Sequence, residues 1–396
     1  MTTLETVNLR NWHRTILAFF AVVGLTGASM MVRLPLVREI LDVSTGTLGL
    51  ILVAGSVGAM SGLLYVGKFV AHNGTKKAAL IGMSIWVAGT LVSAVGLAVG
   101  NPVIFALGNF FGGIGAGMTD VAINVDGSAI EQKLGRAAMP KMHAAFSIGA
   151  LAGAGLGTIA IHFNIDLALQ VAVFAILCYL IPILNTRHLP VDNGLHSEEE
   201  KAGNAGPMFS KVVILLGLGI FGMTLAEGAS NDWLTIGLVD DYKADATSAG
   251  IAYAILIGSM TIVRFFGGPL TDKFGKALTL RVTGVIGIIG LILLITRISI
   301  PMAWFGALLW GVGVALAFPL FLSAAGEQPN PARKVATVSA FGYTSFLVGP
   351  PLLGLVGQEI GVVNMYWIIL LFIVLSVVVA GAAGNTRASA KPIKSE

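Results

Sequence analysis

Runs of about twenty mostly apolar residues follow one another along nearly the whole of this chain, and a run of that length is what an α-helix needs to cross the hydrocarbon core of a bilayer. Twelve can be counted, at 14–33, 47–67, 78–98, 102–125, 142–162, 166–186, 212–239, 247–268, 278–297, 302–324, 335–357 and 363–384. Within lipid every backbone N–H and C=O must be satisfied inside the segment, which selects helices for runs of this length. Composition points the same way. Hydrophobic residues are 56% of the 396 and charged ones 11%, whereas a soluble domain carries about a quarter charged. The expected fold class is an all-α membrane protein with twelve transmembrane helices.

One polar gap interrupts the pattern, from Arg187 to Ser210, with Pro190, Gly194, Glu198, Glu199, Glu200, Gly203 and Pro207. It is too polar to build a core of its own. The chain therefore divides into a six-helix bundle over 1–186, a linker over 187–210 and a second six-helix bundle over 211–396. Of the 24 Lys and Arg residues, nineteen fall on the side of the N-terminus, four on the opposite side, and Arg264 within a span. The positive-inside rule then places both termini and the linker in the cytoplasm. The halves echo each other: Gly67 and Gly268, and likewise Gly74 and Gly275, are 201 residues apart. Six-span repeats that both start from the cytoplasm are parallel repeats, an arrangement suited to rocking about a central site.

Several chemistries find no support. The net charge of +4 is distributed over short loops between spans, so it reads as topology and not as a nucleic-acid surface. Cys178 is the only cysteine, so no internal disulfide forms. The first apolar run has no small-residue cleavage site and reads as a retained helix. There is no GxxxxGK[ST] loop, no Cys/His cluster and no hydrolase elbow, so neither cofactor, metal nor enzymatic activity is expected.

The segment after the eighth run, Gly268-Pro-Leu-Thr-Asp272-Lys273-Phe-Gly275-Lys276, spaces a Gly, an acid, a base, a Gly and a base in a fixed pattern. It closely resembles the signature loop of the major facilitator superfamily. The resemblance implies two pseudo-symmetric six-helix bundles and a conformational latch built from Gly268, Asp272, Lys273 and Gly275, braced by nearby Arg264. The first-half copy keeps Gly67, Gly74, Lys76 and Lys77 but has Ala71 and His72 in place of the acid and base.

In the fourth run, Asp120 and Asn124 stand at i and i+4 and share a helix face with Gly113 and Gly117. An acid deep in an apolar run is costly and usually faces a cavity. Asp120 is the first candidate for a proton carrier, the alternative being an acid fixed by an ion pair or by helix–helix hydrogen bonds. The stretch is similar to the fourth span of the fucose–proton symporter family, whose protonatable acid falls on Asp120 and whose Asn falls on Asn124. The first span here has no acid between Arg14 and Arg33, where that family carries one, and Val125 stands where that family has Pro. Drug–proton antiporters bear an Arg at the position of Asn109.

In the seventh run Thr224, Glu227 and Asn231 form a polar stripe, with Asp232 directed elsewhere, towards the outer surface. Glu227 is read either as a second proton or substrate group or as half of a structural ion pair. This segment, with Arg33-Leu34-Pro35, resembles uncharacterised bacterial inner-membrane relatives of the fucose permeases. Arg33 at the end of its span is expected to snorkel to the interface. His143 begins the fifth span and is a minor candidate for proton transfer. Gly149, Gly153 and Gly157 recur every four residues as a packing seam, expected between the two bundles. Trp310, Phe318 and Tyr343, with Trp86 and Phe321, are candidate walls of a substrate cavity.

The expected function is secondary transport of a small polar, sugar-like solute by alternating access with protons as co-substrate, in the cell (inner) membrane, by a monomer. Asn124, Thr224 and Asn231 supply polar groups to the cavity. Proton-driven efflux of a metabolite or drug is the alternative, and a non-transporting membrane sensor a further one.

Overall fold

The computed structural model describes residues 8–134, 139–191, 193–194, 210–328 and 331–384, which are helical apart from turns. In chain order, α1 (Leu9–Met31), the short α2 (Leu34–Ile40), α3 (Thr45–Ala98), α4 (Pro102–Leu134), α5 (Met139–His162) and α6 (Leu167–Asn185) precede the linker. After it come α7 (Lys211–Asp240), α8 (Ala246–Phe274), α9 (Lys276–Ile295), α10 (Ile300–Val314), α11 (Ala317–Gly326), α12 (Pro331–Ile360) and α13 (Val362–Val379).

Local chemistry sets many of the helix starts. A side-chain oxygen satisfies an orphan amide of the first turn in each case: Ser44 Oγ accepts from Thr47 N at 3.1 Å, Asp166 Oδ1 from Leu169 N at 2.8 Å, and Asp245 Oδ1 from Ser248 N at 2.9 Å. Among the described residues, eleven helices are long and apolar enough to cross a membrane, α10 and α11 counting together as one. The longest, α3, has 54 residues, about 80 Å at the α-helical rise, far more than the ~30 Å of a bilayer core. It bends at Gly74 (φ 78°, ψ 163°) and supplies two spans, which brings the total to the twelve expected.

Gly275, between α8 and α9, has almost the same backbone angles (φ 79°, ψ 157°). Such angles are readily available only to glycine. The repeat seen as a 201-residue spacing is thus a repeat of backbone geometry, in which one glycine in each half turns the chain between its second and third spans.

The chain divides into two compact units, Met1–Glu200 and Lys201–Glu396, with the boundary inside the polar linker. In the first unit α3 packs on α4 and α1 on α5. The glycine seam of α5 faces α1: a Cβ on Gly149 would lie 1.9 Å from the Ala21 carbonyl oxygen, and one on Gly153 2.1 Å from that of Leu25. The expectation that this seam separates the two bundles is therefore corrected; it lies inside the first unit. Lipid tails are as apolar as these side chains, so close backbone approach, not removal from water, holds such seams. Arg33 also departs from expectation. It is 3% exposed and donates to Gln170 Oε1 and, at 2.8 Å, to the Ile165 carbonyl, because a buried guanidinium finds its partners on α6 and the turn before it more cheaply than by reaching the interface.

In the second unit α7 packs on α12 and α13, and α9 on α10. Ser376 ties α13 to α7 by donating to the Gly219 carbonyl at 2.9 Å. Large apolar side chains such as Leu64, Phe265 and Val378 point outward, 76%, 70% and 69% exposed. A membrane helix keeps such residues where lipid solvates them.

Candidate functional site

The first unit presents Asp120 on α4 as an exposed carboxylate. Asn124, one turn on, donates its Nδ2 to the Asp120 carbonyl at 2.8 Å and to Oδ1 at 3.2 Å. Among the described residues no cation pairs with Asp120. The amide holds the carboxylate in place but leaves its charge unneutralised. His143, the other candidate in this unit, packs edge-on against Phe20 with ring centroids 5.2 Å apart.

The second unit treats its acids differently. Glu227 on α7 pairs with Arg264 on α8, Nη2 to Oε1 at 2.7 Å. The same guanidinium donates Nε to the Ala315 carbonyl at 3.1 Å. Ala315 lies in the break between α10 and α11, four residues before Pro319. Proline has no N–H to give the carbonyl four residues back, and Arg264 supplies the missing donor. The expectation that Arg264 braces the signature loop is accordingly corrected: it serves Glu227 and the broken helix. Tyr253, 2% exposed, donates its hydroxyl to Asn231 Oδ1 at 3.0 Å. That bond turns the Asn231 amide oxygen towards Tyr253 and its NH₂ away from the hydroxyl. Asp232, half-buried, has no hydrogen bond or ion pair among the described residues, and with Glu227 lies within Coulombic reach of Tyr253.

The remaining candidates separate. Thr224 is 1% exposed with its hydroxyl unmatched. Trp310 is fully buried edge-on to Tyr366, ring centroids 5.2 Å apart, and presents no surface to a solute in this conformation. Phe318 and Tyr343 meet edge-on at 6.4 Å, Tyr343 being 37% exposed. In the signature loop Asp272 and Lys273 are exposed, Asp272 without a hydrogen bond or ion pair among the described residues. Lys273 Nζ lies over the Phe274 ring, and Lys276 pairs with Glu327. A side chain added at Gly268 or Gly275 would meet nothing within 4 Å, so at Gly275 the backbone angle, not crowding, requires glycine.

Comparison with known proteins matches the Major Facilitator Superfamily model to residues 15–345 of this chain. The chain belongs to the Major Facilitator Superfamily. It is a multi-pass membrane transporter of that superfamily and not an enzyme. It is 28% identical over 371 residues to the uncharacterized transporter y4wD of Sinorhizobium fredii, covering 93% of this chain and 97% of that protein. An uncharacterized MFS-type transporter of Yersinia pestis is 26% identical over 349 residues, covering 87% and 88%. Among solved structures, the nucleoside transporter NupG superimposes with a TM-score of 0.70 at 16% identity, covering 96% of this chain and 98% of that one. FucP in its outward conformation gives 0.65 at 15% identity, covering 94% and 99%. These likenesses establish the fold.

One acid of this superfamily member escaped the sequence reading. Asp126, six residues beyond Asp120 on α4, is fully buried. Its Oδ1 accepts from Thr75 Oγ1 at 2.7 Å and from Asn193 Nδ2 at 2.6 Å, and Thr75 N donates to the Asn193 carbonyl at 2.9 Å. The start of the linker is thereby fastened to the signature-loop position of the first half, where Ala71 and His72 replace the usual charges. The cost of an acid in an apolar run flags Asp126 as readily as Asp120. Its partners lie 51 and 67 residues away, and no local pattern shows them.

Proposed function

We propose that this chain takes up a small polar solute by alternating access, coupled to inward movement of protons, with Asp120 as the proton carrier. The observation that carries the reading is the contrast between two membrane acids: Glu227 has its charge met by Arg264, while among the described residues Asp120 has only an amide. A proton bound to such a carboxylate cancels its charge and lets the loaded carrier reorient without moving a bare charge through lipid. Asn124 positions that carboxylate, and Asn231, oriented by Tyr253, offers donors to the solute. FucP, whose fold this chain shares, is described as a fucose:proton symporter, which supports both a sugar-like solute and proton coupling. Both termini are placed in the cytoplasm and the working unit is a monomer.

The test pairs two measurements in the same proteoliposomes, on a solute first found by thermal stabilisation of the purified protein across a panel, since a ligand stabilises the state it binds. Asp120→Asn mimics the protonated acid. It is expected to abolish accumulation driven by a pH gradient while leaving counterflow at equal pH intact, since exchange needs no proton release. Full gradient-driven accumulation in the mutant would exclude Asp120 as the carrier.

A further inference from the structure

In each half, the residue after the turn glycine bonds an acid 51 positions further on: Thr75 donates Oγ1 to Asp126 Oδ1 at 2.7 Å, and Lys276 pairs with Glu327. Thr75 and Lys276 are 201 residues apart, and so are Asp126 and Glu327. This is the spacing of Gly74 and Gly275, so the two bonds hold equivalent places in the repeat. Each ties the turn between the second and third spans of its half to the end of the fourth.

The surroundings of the two bonds differ. The Lys276 and Glu327 side chains are 17% and 41% exposed, and a Cβ on Gly275 would meet nothing within 4 Å. Thr75 and Asp126 are both fully buried, and the start of the linker covers them. Leu189, 1% exposed, joins the core formed with Val66 and Val70. A Cβ on Gly74 would lie 2.6 Å from the Val191 carbonyl oxygen, and one on Gly194 2.7 Å from Val70 Cγ1. Both glycines have positive φ, 78° and 81°, so each side of this contact depends on a residue without a side chain. Asn193 closes it with two groups, donating Nδ2 to Asp126 Oδ1 at 2.6 Å and accepting from Thr75 N at 2.9 Å.

Where the second half uses a cation, the first half uses two neutral donors, one of them borrowed from the linker. Among the described residues no cation pairs with Asp126. Lifting the linker therefore takes a donor from a buried carboxylate, which is costly. An exposed ion pair is weak and is screened by salt, whereas a neutral bond beneath a covering segment is not. We propose that the start of the linker is a clamp that replaces, in the first half, the ionic bond of the second. The first-half turn then opens only when the linker lifts, while the second-half turn opens as its ion pair breaks. The clamp makes the linker a control point for one unit, and it does not depend on the proposed solute or on proton coupling.

The experiment follows amide hydrogen exchange by mass spectrometry in the full-length purified protein, on peptides covering residues 70–80 and 271–281, at low salt and at about 1 M. In the wild type, high salt is expected to speed exchange at the second turn about two- to fivefold, the range of an exposed ion pair, and to leave the first unchanged. Asn193→Ala is expected to speed exchange at the first turn at least tenfold and leave the second as it was. Glu327→Gln is expected to do the reverse, and to remove the salt response of the second turn. Gly194→Ala drives a Cβ into Val70 without touching Asp126 and should release the first turn as Asn193→Ala does, which keeps the test open if one variant fails to fold. An equal response of the two wild-type turns to salt would overturn the clamp. So would a first turn that stays protected in a folded Asn193→Ala or Gly194→Ala protein.

Discussion

Arg264 and Glu227 form an ion pair at 2.7 Å between α8 and α7, and the cation also holds the carbonyl freed by Pro319. One guanidinium thus joins three elements of the second unit. Its planar fork suits this double duty, which a lysine ammonium does not reproduce.

The pair gives an ordered prediction. Arg264→Gln strips Glu227 of its counter-charge and leaves the Ala315 carbonyl open, so it is expected to lower stability by about 2–3 kcal/mol, below the range of fully buried pairs because both side chains are partly exposed. Glu227→Gln is expected to cost less, since the guanidinium keeps its carbonyl partner. The double variant should recover part of the Arg264 loss. Thermal unfolding of the four proteins in one detergent checks this, and a double variant less stable than Arg264→Gln would contradict it.

Asp126 fastens the linker to the first unit through Asn193, so Asn193→Ala and Thr75→Val each leave a buried carboxylate short of a donor. Each is expected to cost about 1–3 kcal/mol and to speed protease cleavage in the linker following Gly194. Asp126→Asn, which keeps the shape and removes the charge, should be milder than either if the unmet charge is what costs.

Two glycines of α5, two residues apart, should respond in opposite ways. A Cβ at Gly153 falls 2.1 Å from the Leu25 carbonyl, whereas one at Gly155 meets nothing within 4 Å. Gly153→Ala must push α1 away and is expected to lower the unfolding temperature by several degrees. Gly155→Ala gains helix propensity of up to about 1 kcal/mol and should be neutral or stabilising. Equal effects would show that the α1–α5 seam is not close-packed.

Asp245 caps α8 through the Ser248 amide and hydroxyl, and these bonds hold its carboxyl below the usual carboxylate range. A depressed folded-state value means the cap's contribution is complete above the ordinary aspartate range and is lost as pH falls through the folded value. Asp245→Ala is expected to cost about 1 kcal/mol at neutral pH, discounted for its solvent exposure, and progressively less below pH ~4. Unfolding curves of both proteins at neutral and acidic pH should converge.

Much of this molecule is legible along the chain, and the reason is the solvent. Lipid requires each spanning segment to satisfy its own backbone, so length and apolar content mark how many spans there are and roughly where each falls, although the helix ends differ by several residues, as for α4, which runs on to Leu134. The bias of Lys and Arg gives the expected orientation, and the 201-residue offset foretold the paired turns at Gly74 and Gly275. Asp120 and Glu227 stand out because a charge in an apolar run is expensive wherever it points. Helix periodicity also indicates which residues share a face. It says nothing about what stands opposite that face. Only the tertiary structure decided that Glu227 meets Arg264 while no cation among the described residues meets Asp120, that Arg33 turns inward to Gln170, that the α5 glycines face α1, and that Asp126 reaches Asn193 in the linker. Those outcomes depend on which distant helices meet and at what register, a property of the packed units that no local stretch of residues contains.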